Sequence, residues 1–169
     1  ILEITLIKII KLIKIFFPWF IEKNDDFPIF DNIKYKNYLK NSFDKNLGWI
    51  RKPNTVGFDS SGNKKVKFEM DSSGARKKVN KKIVNLAASF GDSYVFGREV
   101  LDHQTWQECI SSKHKFSITN YGLGNYGIDQ AILKYKKIKL DKTTKYVILG
   151  MVPENICRIQ SEYKHFNEF

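Results

Sequence analysis

From about residue 82 onward the apolar positions follow two interleaved patterns. Short apolar-rich runs occur at 82–88, 115–120 and 145–152, each bounded by charge or glycine, as expected of strands buried within a sheet. Between them the spacing is helical. Thr105 and Glu108 stand at capping-box distance, predicting a helix over 105–112. Ile128, Ala131, Ile132, Tyr135 and Ile138 then recur at helical intervals, which places Lys134, Lys136, Lys137 and Lys139 on the outward face. Strand, helix, strand, helix, strand in this order predicts an α/β fold with a parallel sheet and right-handed crossovers.

The pattern is different upstream. Residues 24–79 are polar and broken by Pro28, Gly48, Pro53, Gly57, Gly62 and Gly74, with a strand-like piece at 66–70 between turns at 60–63 and 71–74. They read as an irregular extension wrapping the domain that follows. Residues 1–23 are strongly apolar but carry Lys8, Lys11 and Lys14, and their longest uncharged run, 15–21, contains Pro18. That is short of the roughly 20 apolar residues a spanning helix needs, and no small-residue cleavage site follows. Lysines three apart, followed by Phe16, Phe17, Trp19 and Phe20, fit a membrane-interface segment, a helix packed on the rest of the protein, or part of an anchor. The chain thus divides into an apolar and basic segment (1–23), an extension (24–80) and an α/β domain (81–169).

Composition narrows the function classes. At 169 residues, 42% apolar and 14% aromatic, the chain can build one cored domain and is not a disordered segment. Its net charge of +11 suits an acidic partner. The lysines, however, are scattered among Asn and Ile, which describes a solvated surface better than a nucleic-acid site. Cys109 and Cys157 form neither a disulfide framework nor a zinc pattern and read as core thiols. No cofactor or metal is expected.

The chemistry concentrates at the strand ends. The first strand runs into Phe90-Gly91-Asp92-Ser93, a turn that presents a hydroxyl where open α/β sheets gather their ligands. Ser93 there reads as a nucleophile or as a helix cap. Gly122-x-Gly124-x-x-Gly127 matches the dinucleotide fingerprint between a strand and a helix. The acid expected about 20 residues further on falls instead near Val147, inside a strand. A different reading joins three turns at one sheet edge. Ser93 is then the nucleophile, and its N–H, an N–H from Gly124 or Asn125 and the Asn155 amide serve a developing oxyanion.

These residues resemble the SGNH (GDSL-type) hydrolases. Gly91-Asp92-Ser93, in SFGDSYVFG, is similar to the family's first block. Residues 120–130, NYGLGNYGIDQ, are similar to the second, and 150–158, GMVPENICR, to the third. Upstream, Leu47-Gly48-Trp49 with Lys52-Pro53-Asn54, and Ser73-Gly74-Ala75-Arg76, resemble a segment that precedes the domain in many bacterial members. The likeness covers residues 47–160. It implies a three-layer α/β/α, flavodoxin-like domain, and a serine esterase or acyltransferase acting on carboxylic esters, including O-acyl groups of glycans. Localisation stays open, with a membrane surface, through residues 1–23, or a bacterial cell envelope as the expectation. Asp92 and Gly91 would support the nucleophile.

Two departures accompany the likeness. The family's second-block glycine aligns with Asn125 or, with a slip, Gly124; Asn is the non-glycine residue that best tolerates a positive φ. The third block's usual Asn-Asp is here Glu154-Asn155. The family's base, a histidine in an Asp-x-x-His block, is expected beyond Phe169, so the chain reads as a fragment with the sheet's first three strands. Glu162-Tyr163-Lys164-His165 imitates that spacing but follows the third block at once, while His103 and His114 read as surface residues. The rival classes are a nucleotide-binding protein using residues 122–127 and a non-catalytic basic module at a membrane surface.

Overall fold

The structure, a computed structural model, describes residues 2–16, 31–61, 64–80 and 84–160. Trp19, Phe20, Gly62, Ile83 and the Glu162–His165 spacing lie outside the described residues.

Three parallel strands carry the domain: β5 (Val84–Phe90), β6 (Phe116–Asn120) and β7 (Tyr146–Leu149), in the spatial order β6-β5-β7. The connections therefore leave β5 first to one side and then return to the other. Helix α4 (Trp106–Lys113) precedes β6 and helix α5 (Ile128–Lys137) precedes β7. Right-handed crossovers in opposite directions place their helices on opposite faces, and alternate side chains of β5 record it. Ser89 Oγ accepts from Gln107 of α4, while Ala88 and Phe90 pack with Ala131 and Tyr135 of α5. Thr105 caps α4 by accepting from the Glu108 N–H, as its spacing predicts.

The α4 face of the sheet is polar. Asn85 Oδ1 accepts from Ser117, Thr119 and Lys78, and its amide donates to Thr144. The α5 face is apolar, with Phe90 fully buried and stacked on Tyr121. Burying such a ring contributes about 2–3 kcal/mol.

Four expectations need correction. The extension is not irregular: it holds α2 (Asn32–Asn41), the ladder of β1 (Phe43–Asp44) with β2 (Gly48–Trp49), and the six-residue pairing of β3 (Val56–Ser61) with β4 (Lys64–Glu69). Gly48 and Gly57 lie within strands, while Pro53 and Gly74 fall in the connections that follow the two ladders. It does wrap the α/β layers: Tyr126 Oη donates to Trp49 O at 2.7 Å, Gln130 donates to Leu47 O at 2.8 Å, and Phe68 packs edge-on against Phe96. The run at 145–152 is not a buried strand. Tyr146, Val147 and Leu149 of β7 are exposed, and among the described residues no strand pairs with its outer edge.

Lys134 does not face outward; it is 5% exposed, because the extension lies over that stripe of α5. Finally, Cys109 is an exposed thiol on α4 rather than a core one. Helix α1 (Leu2–Phe16) forms over the apolar N-terminal segment, and Leu6, Ile7, Ile10 and Leu12 are exposed on it. Among the described residues no helix is long and apolar enough to cross a membrane.

Candidate functional site

The site grows out of the carboxyl end of β5, the strand at which the sheet order reverses, which is where open α/β sheets place their crevice. Gly91 leaves β5 at φ +155°, and a Cβ there would lie 2.4 Å from Val95 Cγ2 and 2.5 Å from Gly150 O. Asp92 then caps α3 (Ser93–Phe96), accepting from the Tyr94 N–H at 3.0 Å. Ser93 thus opens the helix, where its own N–H has no intrahelical acceptor. Gly97, at φ +75°, closes α3 in the left-handed conformation.

Turns after the other two strands close against this one. A Cβ on Gly122 would lie 2.4 Å from the Phe96 backbone nitrogen, and one on Gly150 would lie 2.2 Å from Val95 Cγ2. The Leu123 N–H donates to Gly91 O, and the Gly150 N–H to Phe90 O, both at 2.9 Å. Asn120 ties the second turn to the first by donating to Phe96 O and accepting from the Gly122 N–H. The three sequence blocks therefore meet in space because each contributes a glycine that lets backbone pass within contact of α3.

Ser93 is half-buried and lines a cleft of about 400 Å³ with Arg98, Glu99, Asn125, Glu154 and Arg158. Asn125 sits at φ +64°, in the left-handed region that Asn tolerates better than other non-glycine residues. Gly124 has open space around its Cα, and its carbonyl accepts from the Trp49 indole at 3.1 Å. A second hollow of about 200 Å³, lined by Trp49, Arg51 and Asp59, continues the cleft and shares Arg98 and Asn125 with it. The extension thus forms one wall of the crevice.

Asn155 reaches the same edge but is 1% exposed, and its amide is already engaged. Nδ2 donates to Asp92 Oδ2 at 3.2 Å and to Tyr126 O at 3.0 Å, while Oδ1 accepts from the Val152 N–H. Asn155 therefore knits the first, second and third turns together. The expected turn at 153–155 is in fact the start of α6 (Glu154–Gln160). One helical turn along it, Arg158 Nη1 reaches Asp92 Oδ2 at 3.2 Å, so a buried carboxylate faces both an amide and a guanidinium. Arg158 escaped the sequence reading because its role requires 154–160 to be helical; the i, i+3 spacing from Asn155 is the signal that carries it.

Arg76 also escaped. Nearly fully buried, it donates to Phe96 O, Gly97 O and Val100 O, pairs with Asp102 at 2.7 Å, and so holds the segment after Ser93 in place. No histidine among the described residues lines the Ser93 cleft. His114 stacks on Phe116 where β6 begins, the opposite end of the parallel sheet, and His103 is exposed beside Asp102.

Of the glycine turn 122–127 only Gly124 and Asn125 border open space; the first and last fingerprint glycines are packed or engaged by protein. Gly122 rests on Phe96, Leu123 and Tyr126 are buried beneath Trp49, and Gly127 donates its N–H to the Gln130 side chain. A dinucleotide fingerprint needs that backbone free for pyrophosphate. Among the described residues no cluster of three His, Cys, Asp or Glu side chains could hold a metal ion. Compared with known proteins, the chain matches no protein-family model and no curated protein.

Proposed function

We propose that this chain carries the nucleophile and oxyanion side of an SGNH-type serine acyl-hydrolase or acyltransferase site, on a flavodoxin-like α/β/α domain. The observation that carries the reading is the position of Ser93. It is half-buried in a cleft at the carboxyl end of the central strand, with the glycine turns of both neighbouring strands packed against its helix. The strand order β6-β5-β7 corresponds to 2-1-3, the opening of the flavodoxin-like order.

In this reading Ser93 Oγ bonds to the carbonyl carbon of an ester, its proton passes to a base, and the alcohol leaves with a proton. Water or a second alcohol then releases the acyl group. The Ser93 N–H and an N–H from Gly124 or Asn125 serve the oxyanion, such a donor contributing about 3 kcal/mol. Asn155 joins them when its amide turns from Asp92 to the substrate. The resemblance implies a histidine of an Asp-x-x-His segment as the base; among the described residues no histidine lines the cleft. Substrates are carboxylic esters, including O-acyl glycans, and residues 1–23 hold the enzyme at a membrane surface of a bacterial cell envelope.

A fluorophosphonate probe tests the reading on the full-length protein. Labelling at Ser93, absent from Ser93→Ala, is the expected result; equal labelling of both overturns it. Ester turnover abolished by His165→Ala would move the base to His165.

A further inference from the structure

A second pocket lies between α5 and the extension and shares no lining residue with the Ser93 cleft. Its volume is about 220 Å³, and Leu47, Ile50, Pro53 and Ile138 form apolar walls. Lys134 lines it, 5% exposed, with its ammonium 6.0 Å from the Tyr121 ring centroid and 5.8 Å from that of Tyr126. We propose that this pocket binds a small carboxylate bearing a short alkyl tail, with Lys134 as its counter-ion.

The charge balance leaves a protonated Lys134 without a counter-ion and so favours an anion there. Arg51 is paired with Asp59 and Lys137 with Asp44, so both cations that share the pocket are already compensated. Lys134 is not. Among the described residues it has no hydrogen bond or ion pair to a carboxylate, and the charge acting on it is another cation, Arg51. A buried lysine without a counter-ion is costly. Burial and Arg51 push its pKa down to about 7.

The remaining titratable groups around it are the Tyr121 and Tyr126 phenols, both raised by burial and therefore neutral. One uncompensated positive charge matches one carboxylate. A phosphate brings more charge and needs more donors than a single amine offers. The apolar walls suit a tail, and a volume below the roughly 300–1,000 Å³ of drug-sized sites limits that tail to a few carbons.

Calorimetric titration of the full-length protein tests the proposal, using butyrate, acetate and inorganic phosphate as probes in carboxylate-free buffer at pH 6.5. Butyrate is expected to give a saturable isotherm, tighter than acetate, with none for phosphate. Lys134→Met, shown folded by circular dichroism, is expected to weaken butyrate binding at least about thirtyfold. Wild-type affinity is expected to fall about tenfold per pH unit above 7, as the free pocket loses the lysine proton. Absent butyrate binding, stronger binding of phosphate, or unchanged affinity in Lys134→Met each overturns the proposal. Should that variant fail to fold, a wild-type affinity that is flat from pH 6 to 9 does the same.

Discussion

Arg158 and Asp92 form an ion pair across two strand-end turns, Nη1 to Oδ2 at 3.2 Å, with side chains 11% and 1% exposed. The carboxylate also caps α3 and accepts from Asn155, so one group organises the helix start, the third turn and α6 at once. Removing it leaves a guanidinium and an amide facing a cavity. Asp92→Ala is expected to cost about 3–5 kcal/mol, the usual result of breaking a buried pair from one side. Arg158→Met is expected to cost less in the Asp92→Ala background than alone. Urea denaturation of the two single variants and the double variant measures this coupling; additive losses would mean that the pair contributes nothing.

Two glycines of the second turn are expected to behave oppositely. A methyl on Gly122 would meet the Phe96 backbone nitrogen at 2.4 Å, and backbone cannot yield as a side chain tip can. A methyl on Gly124 meets nothing within 4 Å. Gly122→Ala is expected to destabilise by roughly 2–3 kcal/mol, as overpacking does, and to suppress Ser93 labelling by displacing α3. Gly124→Ala is expected to leave thermal stability within about 0.5 kcal/mol. Equal effects of the two would disprove close packing at Gly122.

Lys134 makes stability depend on pH in a stated direction. Unfolded, a lysine titrates near 10.4; folded, this one titrates at about 7. Between those values the unfolded chain binds the extra proton, so stability rises with pH, by about 1.4 kcal/mol per unit from this group. Above pH 10 the Tyr126 phenol acts the other way, because burial raises its folded pKa and the unfolded chain loses that proton first. The window to examine is pH 7 to 9.5. Urea midpoints in carboxylate-free buffer are expected to climb across it in the wild type, and the Lys134→Met variant should lack that climb.

Helix α1 exposes Leu6, Ile7, Ile10 and Leu12 alongside Lys8 and Lys11. Sedimentation with anionic vesicles is expected to bring down the full chain and not one beginning at Asn24, since apolar burial and attraction to anionic lipid act together. Both chains remaining in the supernatant would assign the helix to packing within the protein.

Local pattern was enough for the three strands and for α4 and α5 of the α/β domain, but not for α6. Strand-length apolar runs, the Thr105 cap and the spacing from Ile128 to Ile138 are short-range signals, written within a few residues of where they act. The glycine before Ser93 and the Asn125 conformation were legible for the same reason, as each is a constraint on a single residue's backbone. The extension was misread because its hairpins consist of two- to six-residue strands, too short for an alternating pattern to stand out from turn residues.

Only the tertiary structure decided which polar groups are buried. Helical periodicity puts Lys134 on a lysine-rich face, but it contains no information that the 44–51 and 73–74 segments cover that face. The roles of Arg76, Asp92, Asn155 and Arg158 likewise depend on partners between 20 and 66 residues away. The exposure of β7 is the converse case. Its apolar run specifies a strand, while burial requires neighbours on both faces and both edges, and those are set by how distant segments pack rather than by the strand itself.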